Sequence, residues 1–156
     1  MTIRVGIGGW SYEPWEETFY PPKLATTKQL EYAASKVTAI EINATFYRTQ
    51  SATSFQTWAK ATPDDYTFSV KAPRAAVQRK DLREAAQSIE WFFNSGVGEL
   101  GSKLGPVFWQ MAPYKKFDAA EMNAYFDMLP EKLGKLKLRH AIEVRHDSFA
   151  CDEFMA

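Results

Sequence analysis

The chain has a single cysteine, Cys151, in 156 residues. No intrachain disulfide can form, and a reducing compartment is the expectation. Histidine is almost as scarce. His140 and His146 are the only two, and they do not follow the H-E-x-x-H spacing or a comparable ligand pattern. Glu41, Glu143 and His146 have donor chemistry for a hard or borderline cation, but nothing in the spacing requires a metal, and no cofactor is implied. Charge of one sign is also missing: 19 basic residues meet 19 acidic ones. That removes the global footprint of non-specific nucleic-acid binding, although a local basic patch would still be compatible with it. No apolar run approaches the roughly 20 residues of a membrane span. The N-terminus lacks the basic and then apolar layout of a signal peptide. A cytoplasmic protein without a membrane partner is expected. Gly8-Gly9 is part of no G-x-G-x-x-G or Gly-Lys-Ser/Thr fingerprint, and Ser11 is not in a G-x-S-x-G elbow, so nucleotide loops and that class of nucleophile are absent.

What is present is apolar and aromatic. Hydrophobic residues make up 46% of the chain, aromatics 15% and charged residues 24%, which suits one globular domain over residues 1–156. A short apolar strand is expected from Ile3 to Gly9, then a loop with Trp15, Phe19 and Tyr20 that reads as a packed cap more readily than as a ligand platform. Thr26 or Thr27 would cap a helix over Lys28 to Val37. Ala39-Ile40-Glu41-Ile42 begins a second strand that runs into Asn43, Thr45, Tyr47 and Arg48. Ser51 or Ser54 would cap the next helix, and Tyr66 to Ala72 forms a third strand, followed by a loop at Pro73-Arg74. Asp81 starts a long helix through Phe93, broken by Gly96 and Gly98. A short helical piece, Leu100 to Leu104, is ended by Gly105-Pro106. Val107 to Met111 is a fourth strand, Asp118 caps another helix, and Ala141 to His146 is a fifth strand. A further helix opens between Ser148 and Ala156. Met111, Met122 and Met128 read as core.

Strand and helix thus alternate five times, which calls for a parallel sheet with right-handed crossovers. A (β/α)8 barrel takes about 250 residues, so five units correspond to the front of a barrel, an incomplete α/β barrel of the TIM type. An open doubly wound sheet is the alternative.

The expected strand ends share a polar character. Ser11 and Tyr12, Glu41 and Asn43, Lys71 and Arg74, Gln110, and Glu143 with Arg145 and His146 all fall at carboxyl ends. Residues two apart on a strand share a face, which groups Glu41 with Asn43 and Glu143 with Arg145. Lys71 and Arg145 suit a small polar or phosphorylated, anionic ligand, and Glu41 or Glu143 suits acid/base work, with Lys71 beside them as the third catalytic candidate. The competing reading is purely structural: Glu143 with Arg145 as one ion pair and Glu41 with Lys71 as another.

Several of these stretches resemble one family. Gly8-Gly9-Trp10-Ser11-Tyr12 followed by Trp15 and Phe19-Tyr20-Pro21 is similar to the opening of the DUF72, or YecE-like, family. So are Glu41 to Arg48, Phe68-Ser69-Val70-Lys71-Ala72, Leu104-Gly105-Pro106-Val107 with Gln110 and Pro113, and Glu143-Val144-Arg145-His146. The resemblance implies a TIM-type β/α barrel and implies no particular activity. It also marks two departures. Val77-Gln78 stands where family members commonly carry Thr-His, and the last three β/α units of such a barrel have no counterpart here. Open sheet edges would then invite self-association.

Three functions follow. The first is an enzyme, a hydrolase or lyase, with Glu41, Lys71 and Glu143 as catalytic groups and Trp10, Tyr12, Asn43, Tyr47, Arg74, Gln110, Arg145 and His146 around the ligand. The second is a nucleic-acid-binding or metal-dependent nuclease-like barrel, in which exposed rings such as Trp10, Tyr12, Trp15 and Tyr47 stack on bases. The third is a binding module without turnover.

Overall fold

The computed structural model describes residues 3–155. Met1, Thr2 and Ala156, the ends of the expected domain and the last residue of its expected C-terminal helix, lie outside them. The elements in order are β1 (Gly6–Gly8), α1 (Thr26–Ala34), β2 (Ala39–Ile42), α2 (Ala44–Tyr47), α3 (Ala52–Lys60), β3 (Thr67–Lys71), α4 (Arg74–Val77), α5 (Ala86–Asn94), β4 (Leu104–Gln110), α6 (Ala119–Asp127), β5 (Lys132–Leu133), β6 (Leu136–Lys137), β7 (His140–Glu143) and α7 (Asp152–Met155). Five strands form one parallel sheet in the order β1-β2-β3-β4-β7, and β5 pairs with β6 as a small antiparallel hairpin. The order never reverses, so the sheet has no switch point of the doubly wound kind. Right-handed crossovers in one direction put the connecting helices on one face. The sheet does not close on itself, and β1 and β7 are its edges.

Alternation along the strands separates two faces. Ile40, Ile42, Phe68, Val70, Val107 and Trp109 are buried, and they join Leu30, Phe55, Ile89, Phe92, Met122 and Tyr125 from the helical layer in one core. Trp109 sits at its centre, within ring contact of Phe92, Phe93, Tyr125 and His140. The intervening residues Ala39, Glu41, Thr67, Ser69, Lys71, Phe108, Gln110 and Glu143 are half-exposed, and no layer of helices covers them.

Local chemistry explains the helix starts. Ser51 caps α3 by accepting from Ser54 N, and Asp118 caps α6 by accepting from Glu121 N, each contributing about 1 kcal/mol. Asp81 accepts from Arg83 N. The expected long helix after Asp81 is a 3-10 turn, Leu82–Ala85, that continues into α5. Gly96, at φ 108°, ends that run. It takes a conformation that residues with a Cβ avoid.

Five expectations are corrected. The first strand is only Gly6–Gly8, because Val5 N bonds the Thr38 hydroxyl at 2.8 Å instead of a ladder carbonyl. Ala25 is the N-cap of α1 without a side-chain bond, and Thr26 and Thr27 lie inside the helix. Arg74 opens the helical turn α4 and is not in a loop. Gly105-Pro106 is part of β4, near its start, where proline's missing donor is tolerated. The last sheet strand spans His140–Glu143, so Arg145 and His146 follow it. The loop with Trp15, Phe19 and Tyr20 is a packed cap. Its rings stack in series, with centroids 4.7–5.3 Å apart from Tyr12 through Tyr20, and Tyr20 reaches Tyr32 of α1 at 5.7 Å.

Candidate functional site at the carboxyl ends of the strands

The uncovered face of the sheet holds the expected charged groups on a rising diagonal. Gly8, Glu41 and Ser69 are at one level, since Gly8 pairs with Glu41 and Glu41 with Ser69. Lys71 lies one pleat higher, level with Phe108. Gln110 and Glu143 are paired one pleat above that. Each pleat is about 6.6 Å of strand, so Lys71 lies between the two carboxylates along the diagonal.

Glu143 is tied down from two sides. Gln110 Nε2 donates to both of its carboxylate oxygens at 3.0 Å, and Arg145 Nε donates to Oε1 at 2.5 Å. Burial pushes the Glu143 pKa up, but these hydrogen bonds, with the charges of Arg145 and Lys71, outweigh it and hold the carboxyl below its ordinary value. Glu41 behaves in the opposite way. Loss of water around it raises its pKa, the Lys71 charge lowers it, and the Glu143 charge raises it further, for a net upward shift. Two carboxyls on one face are thereby driven apart, one toward the acid and one toward the carboxylate.

Of the two ion pairs in the structural reading, Glu143 with Arg145 forms. Glu41 with Lys71 does not. Among the described residues no carboxylate lies within 4 Å of Lys71. Its ammonium instead sits 4.8 Å from the Phe46 ring centroid and 5.9 Å from that of Phe108. Cation–π contact orients the group and leaves its three N–H donors free of carboxylates. The Lys71 backbone is held separately, its carbonyl accepting from the Thr45 hydroxyl at 2.6 Å.

Asn43 does not share the face of Glu41 through strand alternation, because β2 ends at Ile42 and Asn43 is helical, at φ −88° and ψ −20°. Its amide sits over Gly8, where an added Cβ would lie 3.2 Å from Nδ2. With Gly9, Trp10, Ser11, Tyr12 and Ala44 it lines a cleft of about 230 Å³. The Tyr12 hydroxyl donates to Gly8 O, and Trp10 packs edge-on against Trp58 at 5.3 Å. Tyr47 is 80% exposed, against Phe46. Arg74 is exposed, and its Nε donates to Oε1 of Gln78, the residue that closes α4, at 2.8 Å. His146 caps the next turn, its ring nitrogen accepting from Ser148 N at 3.1 Å.

The described residues contain no group of three His, Cys, Asp or Glu placed to share a metal ion, so Glu41, Glu143 and His146 do not converge. His140 is structural: its Nδ1 accepts from Trp109 Nε1 at 3.0 Å, and Nε2 therefore donates to Pro130 O at 2.9 Å. A neighbour that sequence reasoning missed is Phe108, which helps seat Lys71. Its level with Lys71 depends on the register shift in the β3–β4 pairing. Among the described residues no helix is long and apolar enough to cross a membrane.

Comparison with known proteins gives this geometry a family. A family model described as "Protein of unknown function DUF72" matches residues 4–156. The UPF0759 protein YunF of Bacillus subtilis (strain 168) is 29% identical over 158 residues, which cover 97% of this chain and 54% of that protein. The crystal structure of a DUF72 family protein from Thermotoga maritima MSB8 superposes with a TM-score of 0.75 at 25% identity, covering 97% of this chain and 58% of that one. A DUF72 family protein from Enterococcus faecalis V583 gives a TM-score of 0.77 at 20% identity, over 99% and 55% of the two chains. The chain therefore spans about half the length of the relatives it matches. It belongs to the DUF72 family.

Proposed function

We propose that this DUF72 chain supplies the first five β/α units of a TIM-type barrel whose strand ends bind a small anionic ligand, with Glu41 and Glu143 as acid and base. The observation that carries this reading is the opposed pair of carboxyls on either side of a lysine whose charge acts on both but which neither contacts within 4 Å. A buried-side structural network would have paired Lys71, because an unmatched charge in a partly desolvated place is costly. Here Lys71 offers three donors to a phosphate or carboxylate, and Arg145 stands near the same rim through Glu143. Glu41, protonated more readily than an ordinary carboxyl, is the proton donor. Glu143, kept ionised by Gln110 and Arg145, is the acceptor. Such a division of roles suits hydrolysis or elimination.

The strand order supports the barrel part of the reading. Sequential parallel strands with all crossovers on one side curl toward closure, and the climbing register between β2 and β7 is the stagger that closure requires. The bare face then corresponds to the lumen, and its polar upper end to the mouth where barrel enzymes keep their sites.

The test is thermal unfolding of the chain with inorganic phosphate and with a panel of phosphorylated sugars and organic acids. A bound anion should raise Tm in the wild type, and Lys71→Met should abolish that rise while unfolding without ligand stays within about 0.5 kcal/mol of wild type, the usual range for a surface change. A variant that unfolds much more easily in the absence of ligand, with no ligand response in the wild type, would make the diagonal a structural network.

A further inference from the structure

A second cavity lies on the helical side of the sheet, between α4, α5 and the loop after α2. Its volume is about 200 Å³. Thr45 is in its wall, and the Thr45 hydroxyl is the group that bonds the Lys71 carbonyl; none of Glu41, Lys71, Gln110 and Glu143 lines it. Among the described residues, Arg79 is the only charged one that lines it. The guanidinium spends one N–H on Ala75 O at 2.7 Å and one on the buried Ser88 hydroxyl at 2.9 Å. Arginine has five such donors, so three are left. Among the described residues no carboxylate lies within 4 Å of Arg79. The two bonds it makes lock the fork in place, so an incoming group meets an ordered cation.

The rest of the wall sets the chemistry of the guest. Trp91 is 63% exposed although it lines the cavity. Its indole has no ring partner among the described residues, so most of its ring surface is open to a guest. Pro73 and Phe92 add apolar surface, and Gln50 and Gln87 add amide groups. One positive charge matches a monoanion. A phosphate dianion would bring a second negative charge into a wall that cannot neutralise it. A carboxylate meets the fork of a guanidinium with two parallel hydrogen bonds, and a planar body behind it can stack on an indole.

We propose that this cavity binds a small organic monocarboxylate with a planar apolar body, its carboxylate on the free edge of Arg79 and its ring against Trp91. The site is separate from the strand-end diagonal and does not depend on it.

Benzoate is the probe, followed by isothermal titration and by tryptophan fluorescence, with acetate and inorganic phosphate as comparators. The wild type should bind benzoate saturably, and acetate, which has no ring, at least about tenfold more weakly, the factor that 1.4 kcal/mol of stacking gives. Arg79→Met should weaken benzoate about tenfold or more. Because Arg79 also ties α4 to α5, that variant is paired with Trp91→Ala, at an exposed position where the fold has little to lose. Trp91→Ala should lower benzoate affinity toward that of acetate with Tm unchanged. In the Lys71→Met background, where the strand-end site is disabled, benzoate should still bind saturably and still depend on Trp91, so failure of the strand-end site and failure of this one are told apart. No saturable binding of benzoate, equal affinity for benzoate and acetate, tighter binding of phosphate than of benzoate in the Lys71→Met background, or indifference to both variants would each overturn the proposal.

Discussion

The two faces of the sheet are made by the same strands and obey different rules. On the helix-covered face, Ile40, Phe68, Val70, Val107 and Trp109 are inaccessible to solvent or nearly so, and each position is decided by the volume it fills. On the bare face, Glu41, Ser69, Lys71, Phe108 and Gln110, each next in the chain to one of these, are half-exposed, as is Glu143, and they are decided by charge and hydrogen bonding. The core is concentrated on the first face, and the candidate site lies on the second. A strand that changes partner by a single residue would exchange the two sets.

Substitutions should break this contrast unevenly, and the largest effect belongs to the covered face. Trp109→Ala removes a ring with no exposed surface and leaves His140 Nδ1 without its donor. It should cost about 3–5 kcal/mol in urea unfolding. A loss under about 1 kcal/mol would mean that the covered face is not the source of stability. Next comes Glu143→Gln. Its partner Arg145 is partly exposed, and exposed pairs contribute little, so the fold should lose no more than about 1 kcal/mol at neutral pH. The pH profile should change more than the stability itself. The folded-state pKa of Glu143 is lowered, so the stability it contributes is present above its unfolded value and is lost as pH falls through the folded one. Glu143→Gln should flatten that acid limb in a plot of Tm against pH.

Glu41→Gln is the smaller and opposite case. Its folded-state pKa is raised, so its favourable contribution is complete below the unfolded value near 4.5 and is lost as pH rises through the folded one. The variant should therefore soften a decline in Tm on the alkaline side of that window. A carboxyl carbon titration by NMR would check the order of the two residues directly, and Glu41 titrating below Glu143 would undo the acid and base assignment. The smallest effect is expected of Tyr47→Ala, which changes an 80% exposed ring and should stay within about 0.5 kcal/mol. A larger loss would give the bare end a structural role.

Much of this was legible in the sequence where the signal was periodic or local. The positions of the five sheet strands follow from apolar alternation and spacing, and Ser51, Asp81 and Asp118 declare their helix starts through a side-chain oxygen a turn ahead of the backbone donors. The gathering of Glu41, Lys71, Gln110 and Glu143 on one face follows from period two in strands that run the same way. Other features depend on distant partners and leave little local trace. Ile40 and Ile42 extend the strand pattern to Asn43, yet the backbone has already turned into α2. Pro106 reads as a breaker in the sequence, and only the pairing of β4 shows that its missing N–H is tolerated there. The hairpin β5–β6 is two residues per strand around Gly134 at φ 58°, too short for any alternation to show. The Arg79 cavity needs α4 and α5 packed together, and nothing about the nine-residue separation from Ser88 announces it.

The strand order carries one more consequence. β3 is the middle strand, with β2 and β1 on one side and β4 and β7 on the other. Its backbone amides are paired within the sheet and shielded by the helical layer, so reaching water requires the sheet itself to part. Amides of β1 and β7 need only an outer strand to lift. Deuterium uptake should therefore run inward from the two margins and reach Phe68 and Val70 last, when the whole domain opens. The last amides to exchange would thus lie within three residues of Lys71, on the strand that carries it to the candidate site.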